Sequence, residues 1–327
     1  MDFLKKFGLS PFIMALFSAI FLAWLAPEVG MSREPFSLGD AANWGVSVIF
    51  FFYGMRLSRE KLLNGLRNVK LHVLVHFSTF VIFPLIVLAA MACFGGFDKN
   101  SQLYYVWIGV FFLATLPSTV SSSVVMVSIA GGNIPAAIFN ASISSIIGVF
   151  LTPLWMGLFM DNIAGANGLA DVITKLVFQV LVPVGVGFAL NPRYGWFAER
   201  HKKILRFFDE TTIVLIVYTS FCDSFFKKMF DGFPFSTLFV LSVAMILLFI
   251  FAMLLVLMIC KALKFDREDT ITAVFCGSKK SLVHGSVMSR VLFGASPMTG
   301  VILLPTMLYH AFQLIIVSII AKQIKKA

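Results

Sequence analysis

The sequence predicts an all-α membrane protein with ten transmembrane helices, arranged as two inverted five-helix repeats in which the fourth and ninth helices are broken and cross. Two observations on the chain support this fold class. Hydrophobic residues make up 59% of the sequence and charged residues only 13%, whereas an ordinary soluble domain has about 25% charged residues. The apolar residues also fall into ten long runs, and each run of the second half starts about 165 residues after its counterpart in the first.

The ten apolar runs each meet the length of about 20 residues that a helix needs to cross a bilayer. We place the spans at 8–27, 38–57, 70–94, 103–130, 133–160, 170–190, 207–230, 236–263, 268–294 and 297–322. The first run has the basic start and apolar centre of a signal peptide. It lacks a clear A-x-A cleavage site and is long enough to span, so we expect it to be an uncleaved first helix.

The basic residues indicate the orientation. Lys and Arg are concentrated in alternate connections, such as 56–70 and 193–206, and basic connections face the cytoplasm. Both termini are therefore predicted to be cytoplasmic. The net charge of +10 reports this orientation rather than a nucleic-acid partner, because the basic residues do not follow one face.

An inverted repeat follows from the count of spans. Residues 1–163 hold five spans and residues 164–327 hold the other five. Because five is odd, the second half enters the membrane from the opposite side, which is a common plan of secondary transporters.

Each half contains one interrupted span. In span four, Pro117 removes a backbone hydrogen bond and disfavours helix at Leu116. In span nine, Gly277 and Ser278 occupy the centre, about 160 residues after the first break. We expect Ser118 and Ser278 to act as N-caps of the second half-helices. In transporters with broken helices the substrate site lies at such breaks.

Two adjacent lysines follow the second break. Lys279 and Lys280 lie about 11 residues from either end of span nine, which is about 16 Å along a helix. Each costs about 3 kcal/mol at that depth, and ionisable residues there are functional candidates. The alternative to a functional role is that the two lysine side chains extend to the lipid headgroups by snorkelling. We predict an anion site, formed by the two lysines together with the neighbouring hydroxyls Ser118, Thr119, Ser278 and Ser281.

Other polar side chains have less specific interpretations. His284 and His310 lie in spans nine and ten, where they either relay protons or are hydrogen-bonded core residues. Asp223 lies one helical turn before Lys227 in span seven, so these two residues either pair with each other or contribute to the substrate path.

The sequence lacks the motifs that are typical of intramembrane enzymes and of channels. The sequence has no HExxH or GxSxG motif, and the adjacency of Ser278 and Lys279 does not make a nucleophile and base that meet through space. No segment of the sequence is typical of the backbone-carbonyl filter or the ring of charged side chains that makes a channel selective. We find no nucleotide-binding or nucleic-acid-binding motif, and we expect no cofactor and no bound metal.

Several segments resemble the bile acid:sodium symporter family. LPSTVSSSVVMVSIAGGN and AAIFNASISSIIGVFLTPLW are similar to its fourth and fifth helices. FCGSKKS and LLPTMLYHAFQLI are similar to its divergent bacterial branch, whose vertebrate relative is linked to calcium handling. The resemblance implies a bacterial inner-membrane protein with a panel domain (spans 1, 2, 6 and 7) and a core domain (spans 3–5 and 8–10).

The resemblance also indicates where sodium ligands would lie. On helix four they fall at or near Ser122 and Ser123, and on helix five at Ala137 and Ala141, beside Asn140 and Ser142. Neither alanine offers a side-chain oxygen, so sodium binding is doubtful.

Span nine departs further from the family pattern. A family glutamate falls at Phe275 and a glutamine at Lys279. A cation beside a second cation at about 4 Å is repelled by roughly 4 kcal/mol. We therefore expect one lysine ammonium, preferably that of Lys279, to replace the metal ion and to attract an anionic substrate, with proton coupling as a second possibility.

These observations together predict a secondary active transporter of an organic anion that works by alternating access, with weak or absent sodium dependence. The expected partners are a small organic anion and the lipid bilayer. The alternative is a membrane regulator of calcium homeostasis that transports nothing.

Overall fold

The computed structural model describes residues 11–31, 37–56, 68–99, 101, 103–163, 174, 177–231, 234–294 and 296–326. These residues are predominantly helical, and no β-strand occurs among them. The starts of predicted spans one and six lie outside the described residues. The helices are α1 (Pro11–Leu25), α2 (Pro27–Met31), α3 (Leu38–Met55), α4 (Val69–Phe77), α5 (Phe83–Cys93), α6 (Tyr104–Thr115), α7 (Ser121–Ala130), α8 (Ile134–Ile163), α9 (Val182–Arg200), α10 (Lys202–Phe226), α11 (Phe235–Ala262), α12 (Arg267–Gly277), α13 (Leu282–Phe293) and α14 (Thr299–Lys326), with π-helical turns at Ser78–Ile82 and Val177–Leu181.

Four helical stretches are long and apolar enough to cross a bilayer by themselves: Val69–Cys93, Ile134–Phe159, Phe235–Ala262 and Thr299–Ile324. They coincide with predicted spans three, five, eight and ten. Helices α1 and α6 are apolar but shorter, and α6 is short because span four is interrupted. The chain is therefore an all-helical membrane protein, as its composition predicts.

Pro84 shapes the third span. Proline has no N–H, and its ring clashes with the carbonyl four residues earlier, which here belongs to Phe80. The chain forms a π-helical turn at Ser78–Ile82, directly before α5. Trp155 Nε1, from α8, donates a hydrogen bond to Phe80 O at 2.8 Å. A side chain from another helix thus replaces the backbone donor that the proline removes.

The helix of the predicted sixth span continues beyond its apolar run. Its hydropathy ends near residue 190, but α9 continues to Arg200 and α10 begins at Lys202, with only His201 between them. Arg206 Nε and Glu210 Oε1 form an ion pair at 2.8 Å across one turn of α10. Such pairs add about 0.3–0.5 kcal/mol to a helix. Hydropathy locates the apolar part of a helix and misses its polar extension.

Helix packing brings distant parts of the chain together. Helix α3 lies along α9, and α10 packs against α1 and α3. A Cβ on Gly54 or Gly187 would collide with the backbone of the facing helix, so these glycines let α3 and α9 approach closely, as small residues do in membranes. Elsewhere, α6 packs on α14, and α11 packs on α12 and α14.

Asp269 ties three helix starts together at one end of the molecule. Its carboxylate accepts hydrogen bonds from Asn68 Nδ2 and from Asn133 Nδ2, the latter at 2.9 Å. The Oδ1 atoms of the same asparagines accept from the backbone N–H groups of Leu71 and Ala136, one turn into α4 and α8. Each asparagine therefore caps its own helix and also holds α12.

Replacing Asp269 with Ala should destabilise the protein. The change leaves two part-buried amide groups without their acceptor, and each such bond contributes up to about 1.5–3 kcal/mol, less where water replaces the lost acceptor. We expect the free energy of unfolding to fall by roughly 2–4 kcal/mol, measured by thermal unfolding of detergent-solubilised protein. Glu268→Ala, at an exposed neighbour, serves as the control. Equal stability of the two variants would contradict this role.

Candidate functional site

The first break separates α6 from α7 over residues 116–120. Pro117 holds Leu116 in an extended conformation, with φ −68° and ψ 150°. The last carbonyls of α6 have no partner within the helix. Thr152 Oγ1 from α8 donates to one of them, Thr115 O, at 2.8 Å. The predicted interruption of span four is present, and a neighbouring helix satisfies part of its backbone.

The second break separates α12 from α13 over residues 278–281. The Tyr309 hydroxyl donates to Ser278 O at 2.7 Å. The Gln313 amide pairs with the backbone of Lys280 in both directions: Oε1 accepts from its N–H at 2.9 Å, and Nε2 donates to its C=O at 2.8 Å. Helix α14 therefore supports the second break in the way that α8 supports the first.

The two breaks touch each other directly. The backbone N–H of Ser281 donates to Pro117 O at 2.9 Å. Ser144 Oγ accepts from the Ser118 N–H at 2.9 Å. A Cβ on Gly148 would lie 2.7 Å from Pro117 Cγ, so the glycine makes room for the proline ring. Broken backbone at this depth is tolerated because protein groups satisfy it.

The expected N-caps are wrong. Helix α7 starts after Val120, which makes no side-chain cap, and Ser118 lies two residues too early. Helix α13 is capped by Ser281, whose Oγ accepts from the His284 N–H at 3.3 Å. Ser278 instead ends α12. The reason is that both breaks are several residues long, so the residue before each second half-helix lies further along the chain.

Lys280 holds the two breaks together. Its Nζ donates to Thr79 O at 2.7 Å, Ala114 O at 2.6 Å and Leu116 O at 2.9 Å. It also lies 4.3 Å from the centre of the Phe83 ring. Thr79 O is available because the π-helical turn directs the Phe83 N–H to the carbonyl five residues back. The other two carbonyls are available because α6 ends at the first break.

The bonding of Lys280 matches a charged ammonium. An ammonium has three N–H donors, and three carbonyls accept them. Burying such a charge costs several kcal/mol, while each charge-assisted bond returns about 1.5–3 kcal/mol and a desolvated cation over an aromatic ring about 2 kcal/mol. These gains offset the burial. The charge also lies at the carbonyl end of α6, where a cation is favoured.

Lys279 has a different environment although it is the adjacent residue. Both lysines have 0% exposed surface, so neither snorkels to the protein surface. The Lys279 Nζ has no hydrogen-bond acceptor among the residues that the structure describes, and the same holds for the Ser118 Oγ. Lys280 therefore has its donors fully used by backbone carbonyls, and Lys279 presents a buried donor that no described residue accepts.

Three predicted hydroxyls form a chain after the first break. Ser122 Oγ donates to Thr119 Oγ1 at 2.8 Å, Thr119 Oγ1 lies 2.8 Å from Ser123 Oγ, and Ser123 Oγ donates to Phe275 O at 3.3 Å. The structure thus brings these three residues together and joins them to span nine, next to the second break. Their hydroxyls satisfy one another.

The other two expected ion ligands are engaged elsewhere. Asn140 Oδ1 bonds His72 Nδ1 of α4 at 3.0 Å. Ser142 offers its backbone carbonyl to the Tyr53 hydroxyl of α3 at 2.9 Å. Neither contact joins Asn140 or Ser142 to the hydroxyl chain. The bonds of Asn140 and Ser142 therefore connect α8 to other helices.

The two histidines have separate partners. His284 Nδ1 lies 3.1 Å from Ser281 Oγ, and its ring packs edge-on against Tyr53 of α3. His310 Nδ1 accepts from Gln313 Nε2 at 2.8 Å. Both lie beside the second break, but these bonds do not link the two rings into one path.

Arg290 connects α13 to α3 at the other end of the bundle. Its Nε donates to Asn43 Oδ1 at 2.8 Å, and its NH2 donates to Gly39 O at 3.2 Å. Asp223 and Lys227 form the ion pair that their spacing predicts, with Nζ and Oδ1 3.4 Å apart.

Three groups that complete the site are not evident from local sequence patterns. Gln313 and Tyr309 support the second break, and Thr79 contributes a carbonyl to Lys280. Gln313 is an amide in an apolar span, which marks it as a candidate. Pro84 indicates irregular backbone near Thr79, but it does not identify the partner of the released carbonyl.

Comparison with known proteins confirms the resemblance seen in the sequence. The SBF-like CPA transporter family matches residues 10–326. An uncharacterised protein of Pseudomonas aeruginosa is 38% identical over 312 residues, 95% of this chain and 92% of the relative. The candidate symporter YfeH of Escherichia coli K12 is 37% identical, with coverage of 97% and 93%. Sodium/bile acid cotransporter 7 of Xenopus tropicalis is 29% identical, with coverage of 99% and 94%.

The family match covers nearly the whole chain. The long apolar helices, the two interrupted spans and the buried lysines all lie within the matched residues. The chain therefore belongs to the SBF-like CPA transporter family and is a multi-pass membrane protein.

Proposed function

We propose that this protein is a secondary transporter that moves a small organic anion by alternating access, without requiring sodium. The observation that carries the proposal is the buried amino group of Lys279, which has no hydrogen-bond partner among the described residues and belongs to the second of the two breaks that meet at Ser281 and Pro117. The names of its relatives describe symporters and cotransporters, which favours transport over a regulator that transports nothing.

We further propose the topology of ten spans in two inverted repeats, residues 1–163 and 164–327, with both termini in the cytoplasm of a bacterial inner membrane. Spans 1, 2, 6 and 7 form the panel, and spans 3–5 and 8–10 form the core. The packing of α3 on α9 and of α1 on α10 supports the first group. The hydrogen bonds among α4, α8 and α12 support the second.

An anion fits the charge and the donors at the breaks. Helices α7 and α13 both begin there, and helix N-termini favour negative charge. Lys279 would add a positive charge once an anion is bound, and the Ser118 hydroxyl adds a further donor that has no partner within the described part of the chain. A carboxylate or a similar oxyanion would supply acceptors for these groups and offset the cost of a buried ammonium.

Sodium is unnecessary in this scheme because Lys280 supplies the cation. Its Nζ is bonded to three carbonyls from two separate spans, which is the kind of oxygen set that a hard cation would otherwise gather. The hydroxyls of Thr119, Ser122 and Ser123 bond one another rather than converge on a point. A tethered charge cannot leave with the substrate, so Lys280 holds the core together throughout the cycle.

Two contacts between the proposed domains would have to change during the cycle. Arg290 bonds Asn43 and Gly39 of α3 near one end of the bundle. The Tyr53 hydroxyl bonds Ser142 O nearer the other end. Rocking of core against panel would open one end while the other stays closed.

Lys279→Gln should abolish anion binding and leave the protein folded. Losing the charged partner of a desolvated anion costs at least about 2 kcal/mol, so we expect affinity to fall at least thirtyfold. Thermal unfolding with a panel of carboxylates, sulfonates and phosphates would identify stabilising ligands first. Uptake of the best ligand into proteoliposomes, with and without sodium, would then be compared for wild type and variant.

Lys261→Gln is the matched control, because Lys261 is exposed at the end of α11. It should bind and transport as wild type does. Equal affinity of Lys279→Gln and wild type would overturn the role of Lys279. A strict requirement for sodium would overturn the role assigned to Lys280.

Lys280→Met and Lys279→Met should differ sharply in stability. The first leaves three buried carbonyls without a donor, and removing one partner of a buried charged network costs about 3–5 kcal/mol. The second removes a buried amino group that has no acceptor among the described residues, so stability should be unchanged or higher. Thermal unfolding and the yield of monodisperse protein measure the difference. If both variants were equally stable, Lys280 would not be the tethered cation.

A further inference from the structure

A groove runs between α4, its π-helical turn and α8, separate from the helix breaks. Its volume is about 480 Å³, within the range of small-molecule sites. Its walls are almost entirely apolar, with Val73 and Phe77 on one side and Ile143, Ile147 and Leu151 on the other. Val73 and Phe77 are exposed, and both flanking helices are long enough to span the membrane. The groove therefore opens to the hydrocarbon of the bilayer.

One titratable side chain in this groove lacks a partner. His76 lines it, and both ring nitrogens are buried without a hydrogen bond among the described residues. The ring stacks on Phe80, with centroids 6.5 Å apart. A buried polar group without a hydrogen bond costs about 1–3 kcal/mol. A phenylalanine would fill the same space without that cost, so the imidazole points to a ligand with a polar head that bonds one of the ring nitrogens.

We propose that the groove binds a free fatty acid, with its acyl chain along α8 and its carboxyl group on His76. A carboxyl group and an imidazole share one proton, and the pair is neutral overall whether the proton is on oxygen or nitrogen. A neutral pair is compatible with the depth of the site. A phosphate or sulfate head would leave net negative charge in hydrocarbon, which is costly.

The dimensions of the groove agree with an acyl chain. The lining residues extend from Val69 to Val81 on one wall, about 18 Å along a helix. One leaflet of hydrocarbon is about 15 Å thick. With its head on His76, near the middle of this wall, a single acyl chain would fill the arm of the groove on one side of the imidazole, about 8–10 Å along the helix, and the rest of the chain would lie in the adjoining bilayer hydrocarbon.

A neighbouring histidine fixes the same wall. His72 lines the groove one turn from His76, and its Nδ1 is held 3.0 Å from Asn140 Oδ1 of α8. This bond links the two helices that form the groove. Its walls are therefore positioned before a ligand arrives, which lowers the entropic cost of binding.

Saturation binding of radiolabelled palmitate to delipidated protein, at a fixed detergent concentration, tests the proposal. Wild type should bind about one palmitate per chain, and hexadecanol, which lacks the carboxyl group, should compete at least tenfold less well. His76→Phe should weaken palmitate binding at least tenfold and should be at least as stable as wild type in thermal unfolding, because it removes the unpartnered imidazole. Ile147→Trp should abolish binding by filling the groove.

His201→Phe is the matched control, because His201 lies between α9 and α10, outside the groove. It should leave palmitate affinity unchanged. Wild-type affinity in His76→Phe, or equal competition by hexadecanol, would overturn the carboxyl contact. Undiminished binding in Ile147→Trp, or no saturable binding in wild type, would overturn the site. Because none of these measurements involves transport, they are independent of the proposed transport function.

Discussion

The ammonium of Lys280, bonded to three backbone carbonyls, is the interaction on which the centre of this protein depends. Two polypeptide breaks in the interior of a membrane protein release amide and carbonyl groups that water does not reach. The carbonyls at the end of α6 and in the third span accept from one lysine of the ninth span. A single side chain thereby joins three spans. Burying the Lys280 ammonium alone would be costly. It is stabilised by the backbone carbonyls that have no helical partner at the irregular segments of spans three and four.

The surrounding residues provide these acceptors and fix their positions. Pro84 forces a π-helical turn, and that turn releases the carbonyl of Thr79. Pro117 ends α6 and releases the next two carbonyls. Gln313 then holds the backbone of Lys280 by its N–H and its C=O, so the side chain starts from a fixed point. Two prolines and one amide together prepare a site for one cation.

Adjacent lysines differ in role because both lie in the non-helical break between α12 and α13, and their side chains reach different surroundings. Lys280 uses its donors within the protein, whereas the buried amino group of Lys279 has no acceptor among the residues that the structure describes. In the proposed mechanism the charge of Lys280 has a permanent structural role, and the charge of Lys279 binds the substrate. This division allows a carrier to hold its crossing helices together without an ion from solution.

The apolar runs, Pro117, the Gly277–Ser278 pair and the two buried lysines determined by themselves that this is a helical membrane protein with interrupted spans and an unusual charge at one break. Those features follow from local rules on hydropathy, proline geometry and the cost of burying charge. Only the tertiary structure decided which lysine is bonded, that Ser281 and not Ser278 caps α13, and that His76 lines a groove. The physical reason is that the deciding partners are mostly backbone carbonyls and distant side chains. Every residue carries such a carbonyl, and folding alone determines which of them lack a helical partner and which lysine reaches them.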